Sequence, residues 1–159
     1  MATKREVQKH IQIYGTEDKV IAAALEILRG RLADQRAFNS PRDVRDFLQL
    51  NLHGLEHEAF WVVYLNAQHR VIAAEELFRG TLTQTSVYPR EVVKAALQRN
   101  AAAVIFAHNH PSGIAEPSHA DELLTRSLRS ALALIDVTVL DHFIIGEGRI
   151  MSFAERGLL

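Results

Sequence analysis

Apolar positions along the chain follow two periods. Up to residue 52 they recur at helical spacing, and from Glu58 onward short apolar runs alternate with helical stretches. Thr16–Leu32 predicts a helix with Val20, Ala23, Ala24, Ile27 and Leu28 on one stripe and Gly30 near its end. A second helix opens at Ser40-Pro41, where Ser40 is a capping residue, Pro41 suits the first helical position and Asp43 stands three residues after the cap. Val44, Phe47, Leu48 and Asn51 or Leu52 continue it at helical spacing. Ala59–Leu65 is β-branched and aromatic, and Asn66–His69 reads as a hairpin turn into a strand over Arg70–Leu77. Gly80–Ser86 predicts a third strand, and Pro89–Arg99 a helix that buries Val92, Val93, Ala96 and Leu97. Ala102–Ala107 is a continuous apolar strand running directly into His108. Ser118 then caps a helix over His119–Ala133, and Val137–Ile145 and Arg149–Phe153 close the chain as strands. This order predicts an α/β protein, a mixed sheet flanked by helices. Residues 1–39 form a helical lead, and residues 40–159 the compact domain.

Composition narrows the chemistry. A chain of 159 residues, 48% hydrophobic and 23% charged, holds one domain with a sizeable core and is not disordered as its main state. It has no cysteine, which excludes disulfides, thiolate-ligated zinc, iron–sulfur clusters and thiol nucleophiles. Hard chemistry is left to histidine, aspartate, glutamate and serine. The net charge of −1 lacks the basic footprint of a dedicated nucleic-acid binder, so charge does not support DNA association. The longest apolar runs, Ala59–Leu65 and Ala101–Ala107, suit buried strands and are too short to span a bilayer. The first ten residues hold no apolar stretch of signal-peptide length, and a cytoplasmic protein without membrane contact is expected.

His108-Asn109-His110 follows the buried strand. In an extended chain positions i and i+2 face one side, so both imidazoles converge while Asn109 points away. Pro111 and Gly113 turn the chain, and Asp121 falls in the first turn of the next helix, where the dipole favours a carboxylate. Two imidazoles and a carboxylate make three ligands, and water as the fourth gives the open coordination of catalytic zinc. A blander reading stands beside it: a lone His-x-His is common at strand ends, and Ser118-x-x-Asp121 also reads as a capping box. The two roles of Asp121 are compatible, because a carboxylate has two oxygens.

The whole string resembles the JAMM (MPN+) metalloprotease signature, His-x-His-Pro, six residues, Ser, two residues, Asp. Here Pro111, Ser118 and Asp121 match every spacing. Phe78–Leu82, Val87–Val93, His108–Gly113, Asp141-His142 and Ser152–Gly157 further resemble the RadC family, from about Ser40 to the end. The chain is similar to the short, prophage-associated members, which do not carry the full N-terminal helix-hairpin-helix-like region. The resemblance implies a cytidine-deaminase-like (JAB1/MPN) fold. It also implies zinc on His108, His110 and Asp121, and Ser118 as a donor to the oxyanion. A catalytic glutamate follows the first core helix in JAMM proteins, which corresponds to Glu58 here, with Glu75 and Glu76 as rivals. The implied activity is that of a zinc metallopeptidase cleaving peptide or isopeptide bonds of a protein or peptide substrate. The alternative is a non-catalytic MPN-fold module serving DNA repair, replication or prophage functions. Neither the substrate nor the oligomeric state follows from these residues.

Other residues read more plainly. His142 is expected to pack in the core, with orientation of a metal ligand as its second role. Trp61 and Tyr64 are expected in the core rather than as base-stacking platforms. Arg79, Arg90, Lys94 and Arg99 read as scattered solvated charge rather than a basic face.

Overall fold

Alternate residues of the central strand β1 (Ala59–Leu65) go to opposite sides of the sheet, and nearly all are buried. In a computed structural model, which describes residues 16–33, 41–81 and 86–159, β1 lies inside a five-stranded mixed sheet. Before it come helices α1 (Glu17–Ala33) and α2 (Pro41–Leu52). After it come β2 (Val71–Arg79), α3 (Pro89–Gln98), β3 (Ala103–Asn109), α4 (His119–Ala133), β4 (Thr138–Ile145) and β5 (Ile150–Ser152). The strand order is β2-β1-β3-β4-β5, and only the β3–β4 pair is parallel. Parallel pairing needs a crossover, and α4 supplies it.

One sheet face packs against α2 through Val44, Phe47, Leu48 and Leu52. The other packs against α3 and α4 through Val92, Ala96, Leu128 and Leu132. The sheet is thus covered on both sides, which is why β1 and β3 read as unbroken apolar runs. Tyr64 is fully buried, and Trp61 packs edge-on to Phe47 at 6.0 Å, both in the core as expected.

Four local expectations change. Strand β3 runs two residues further than its apolar stretch, so His108 and Asn109 are themselves ladder residues. Gly80, Thr81 and Ser86 are not strand, and 82–85 lie outside the described residues, as does the capping Ser40. The ladder from β2 instead continues by two hydrogen bonds, Glu58 N to Thr81 O at 3.0 Å and Gly80 N to Glu58 O at 2.8 Å. The stripe on α1 is only partly covered: Val20 and Ala24 are half-buried, but Ala23 and Ile27 are exposed, because among the described residues α1 packs mainly on α2, with a lighter contact to β2. On α3 the buried face is Val92, Ala95 and Ala96. Val93 is half-buried and Leu97 is exposed, a rotation of one position that follows from α4 packing alongside.

Two loops meet at the end of β3 where His108 stands. Glu147 N donates to the Gly113 carbonyl at 2.8 Å, and His110 N donates to the Ile145 carbonyl at 3.0 Å. A Cβ on Gly146 would lie 2.4 Å from the Gly113 carbonyl oxygen and 2.7 Å from Ala115 N. Only a residue without a side chain allows that approach. Gly146→Ala is expected to lower stability by about 1–3 kcal/mol through overpacking. Gly30→Ala, in a helix with open space around it, is expected to raise stability by about 0.5–1 kcal/mol. Urea denaturation of the two variants checks both signs.

Candidate metal centre

The side chain of His108 leaves β3 on the α4 side of the sheet, and that of His110, just past the strand, returns to the same side. Their Nε2 atoms are 3.0 Å apart. Asn109 points the other way, as its alternation requires. Its Oδ1 accepts from Ala59 N at 2.8 Å and its Nδ2 donates to the His57 carbonyl at 2.9 Å, which ties the α2–β1 connection to β3. One tripeptide therefore builds the site on one face and secures the loop on the other.

Asp121 closes the group from the first turn of α4. Its Oδ1 is 3.3 Å from His108 Nε2 and its Oδ2 3.4 Å from His110 Nε2. The capping box is present as well: Ser118 Oγ accepts from Asp121 N at 3.2 Å, and Ser118 N donates to Asp121 Oδ2 at 2.7 Å. The Ser118 hydroxyl also donates to that oxygen, at 2.6 Å. The two roles read for Asp121 are compatible in this geometry: the cap fixes the carboxylate, and the carboxylate faces the imidazoles.

Electrostatics at the cluster call for a positive charge. His110 Nδ1 is 2.8 Å from the Ile114 carbonyl, which can only accept, so this nitrogen carries a hydrogen. Burial works to raise the Asp121 pKa. Hydrogen bonds from His108, His110 and Ser118 outweigh it and hold the carboxyl well below its usual range. The hydrogen bond to Asp121 pushes His110 up against its burial, with the Ile114 carbonyl and the charges of Asp121 and Glu58 adding to it. Ligand atoms of His108, His110 and Asp121 all lie within 4.8 Å of one another. A tetrahedral zinc site with bonds near 2.05 Å has ligand–ligand edges of about 3.3 Å, close to the three separations here. Among the described residues, this is the group of three such side chains able to hold a metal ion.

Glu58 immediately precedes β1. The β1–β3 register pairs Phe60 with His108, and two residues further along it brings Glu58 opposite His110, which feels its charge. Glu75 and Glu76 stand on β2, two strand spacings (roughly 10 Å) from β3. They are paired with Arg99 and Arg79, each at 2.7 Å. With Lys94 on Glu91, three of the four basic residues noted in the sequence are neutralised by neighbours. His119 and His69 are exposed.

His142 lies in the core as expected, and Thr125 beside it was missed. His142 is fully buried, with Nε2 2.8 Å from His108 Nδ1 and Nδ1 2.7 Å from Thr125 Oγ1. Its ring stacks on Phe153 at 4.8 Å, with Phe60 and Phe106 edge-on. Asp141 secures this corner by accepting from His142 N, Ala154 N and the Ser152 hydroxyl. The available signal was the i,i+4 spacing of Asp121 and Thr125 on one helix face, which points only once His142 is known to lie beneath it.

The model of the RadC-like JAB domain matches residues 38–158. The chain belongs to the RadC family. A UPF0758 protein of Leptothrix cholodnii is 64% identical over 143 residues, 87% of this chain and 64% of that relative. One of Nitrosospira multiformis is 64% identical over 140 residues, 88% of this chain and 62% of the relative. One of Polaromonas is 56% identical over 162 residues, covering 99% and 72%. The chain thus spans less than two thirds of the first two relatives. The mixed five-stranded sheet with its helices agrees with the JAB/MPN fold of the RadC family, and no described helix is long and apolar enough to cross a membrane.

Burial, joined by the charges of His108 and His110 and opposed by that of Asp121, pushes the His142 pKa well below the ordinary 6.5. Below pH 6.5 the unfolded chain takes up a proton that the folded protein refuses. The unfolded state then binds more protons, so stability drops as pH is lowered, by up to about 1.4 kcal/mol per unit. His110, pushed up, has the opposite sign: its contribution is present below pH 6.5 and is lost as pH rises. In chelator-treated protein, the stability advantage of wild type over His142→Phe is expected to shrink as pH falls from about 7 to about 5. Urea denaturation at each pH measures it, and an advantage that grows on acidification contradicts a neutral buried His142.

Proposed function

We propose that the protein is a zinc-dependent hydrolase of peptide or isopeptide bonds, with His108, His110 and Asp121 as the metal ligands and Glu58 as the base. The observation that carries this reading is the pair of imidazole nitrogens 3.0 Å apart beside a carboxylate held at low pKa. The donor set of two imidazoles and one carboxylate suits zinc and leaves a position open. A divalent cation bound there supplies Lewis acidity toward water and toward a substrate carbonyl.

The remaining steps belong to side chains. Glu58, opposite His110, accepts the proton of the attacking water as oxygen bonds to the carbonyl carbon. The same carboxyl returns that proton to the amine nitrogen as the carbon–nitrogen bond breaks, so one group serves as base and then acid. The Ser118 hydroxyl donates to Asp121 Oδ2 before the reaction. Turning that hydrogen toward the carbonyl oxygen lets it stabilise the developing negative charge, a contribution of about 10²–10³-fold in rate. The N-terminus of α4 adds its dipole to the same region.

Elemental analysis of purified wild type, Asp121→Ala and Glu58→Gln tests the site, and turnover of a peptide library tests the chemistry. Zinc near one equivalent in wild type and Glu58→Gln, lost in Asp121→Ala, is expected. Cleavage is expected to fall about 10²–10⁴-fold in Glu58→Gln. Iron or manganese in place of zinc overturns the metal assignment, and full cleavage by Glu58→Gln overturns the base. Zinc-loaded protein that cleaves nothing returns the fold to the accessory-module reading.

A further inference from the structure

Three short contacts behind the candidate ligands form a line from the first turn of α4 to the ring of His108. Thr125 Oγ1 is 2.6 Å from the Asp121 backbone carbonyl and 2.7 Å from His142 Nδ1, and His142 Nε2 is 2.8 Å from His108 Nδ1. Each contact is short enough to require a hydrogen between its atoms. The Asp121 carbonyl has none to give, and the Thr125 hydroxyl has one. That hydrogen must lie on the contact with the carbonyl, since two bare oxygens at 2.6 Å repel. The contact between Thr125 and His142 therefore takes its hydrogen from His142 Nδ1. An imidazolium buried among Phe60, Phe106 and Phe153 would be a desolvated charge, so the His142 ring holds this one proton only. His142 Nε2 is then an acceptor, and the third hydrogen comes from His108 Nδ1.

We propose that Thr125 and His142 are positioning residues that set the tautomer of His108, so that its Nε2 presents a lone pair to the candidate metal centre. The helix itself supplies the direction: the Thr125 hydroxyl bonds back to the carbonyl four residues earlier, as threonines in helices do. The residue whose carbonyl anchors the relay is Asp121. One turn of α4 thus holds the carboxylate on its front and sets the imidazole through its back. His110 reaches the same tautomer by a separate route, through the Ile114 carbonyl. Each ring, when neutral, then presents a bare Nε2 to the centre, which is the arrangement a cation needs, whereas in the metal-free cluster Nε2 can carry a hydrogen to Asp121.

The inference rests on the metal reading above, but its first readout does not. Histidine tautomers in chelator-treated, ¹⁵N-labelled protein are read from long-range ¹H–¹⁵N spectra of wild type, Thr125→Val and Thr125→Ser. Wild type and Thr125→Ser are expected to show His108 protonated at Nδ1. Thr125→Val keeps the shape but removes the acceptor of His142 Nδ1. His142 is then expected to move its proton to Nε2, and His108 to become protonated at Nε2. Zinc affinity, measured by competition with a chromophoric chelator, is expected to fall about 10–100-fold in Thr125→Val and to recover in Thr125→Ser. An unchanged His108 tautomer in Thr125→Val overturns the relay, whatever the metal result. Equal zinc affinity in Thr125→Val and wild type also overturns it. Should wild type bind no zinc, the metal reading fails, and the tautomer spectra still decide the relay.

Discussion

Two imidazole nitrogens 3.0 Å apart need a hydrogen or a cation between or beside them. In this molecule His108 and His110 are brought to that separation by the backbone, since β3 fixes the first and the bond of His110 N to the Ile145 carbonyl fixes the second. Neither ring is free to turn away, because each Nδ1 is engaged behind it. Asp121 faces both rings from the opposite wall, and the capping box holds it there against Ser118. Every member of the group is thus held by hydrogen bonds from behind, and fixed donors of this kind are what preorganised chemistry requires.

The rest of the fold serves that geometry. The β3–α4–β4 crossover sets the carboxyl end of a parallel strand pair against the N-terminus of a helix. In open α/β sheets this is the usual place for a site. Phe60, Phe106 and Phe153 surround the His142 ring behind the site with apolar surface, and Asp141 and Ser152 hold Phe153 in place through the turn that follows β5. On the far face Asn109 gathers the α2–β1 loop, from which Glu58 enters β1. The close approach of Gly146 to Gly113 and Ala115 keeps the loop that carries Ile114 near His110. Stability and site geometry therefore share several of the same hydrogen bonds, so substitutions here are expected to affect both.

Much of the candidate site was legible because its parts are local. His108 and His110 share a side by strand alternation, and Ser118 and Asp121 sit at the spacing of a helix cap. Each follows from short-range geometry, with only His110 to Asp121 needing a turn between. Glu58 was legible as a position next to β1. That it comes opposite His110, while Glu75 and Glu76 stand on the outer strand with arginine partners, is a matter of register. The predicted burial of Leu97 erred, and Ile27 on the α1 stripe is exposed, because apolar periodicity says which residues share a side, but not what covers it.

The sequence by itself determined the element types, the two-sided burial of β1 and β3, the exclusion of thiol chemistry, and the donor set of imidazole and carboxylate. All of these depend on residue type and on spacings of a few residues. Only the tertiary structure decided the partners that lie far apart in sequence. His142 is 34 residues from His108, and Thr125 is 17 from His142. The parallel register of β3 and β4, closed by α4 over them, is what makes them neighbours. An isolated buried histidine and an isolated helical threonine carry no pattern of their own, and their meaning exists only in the contact.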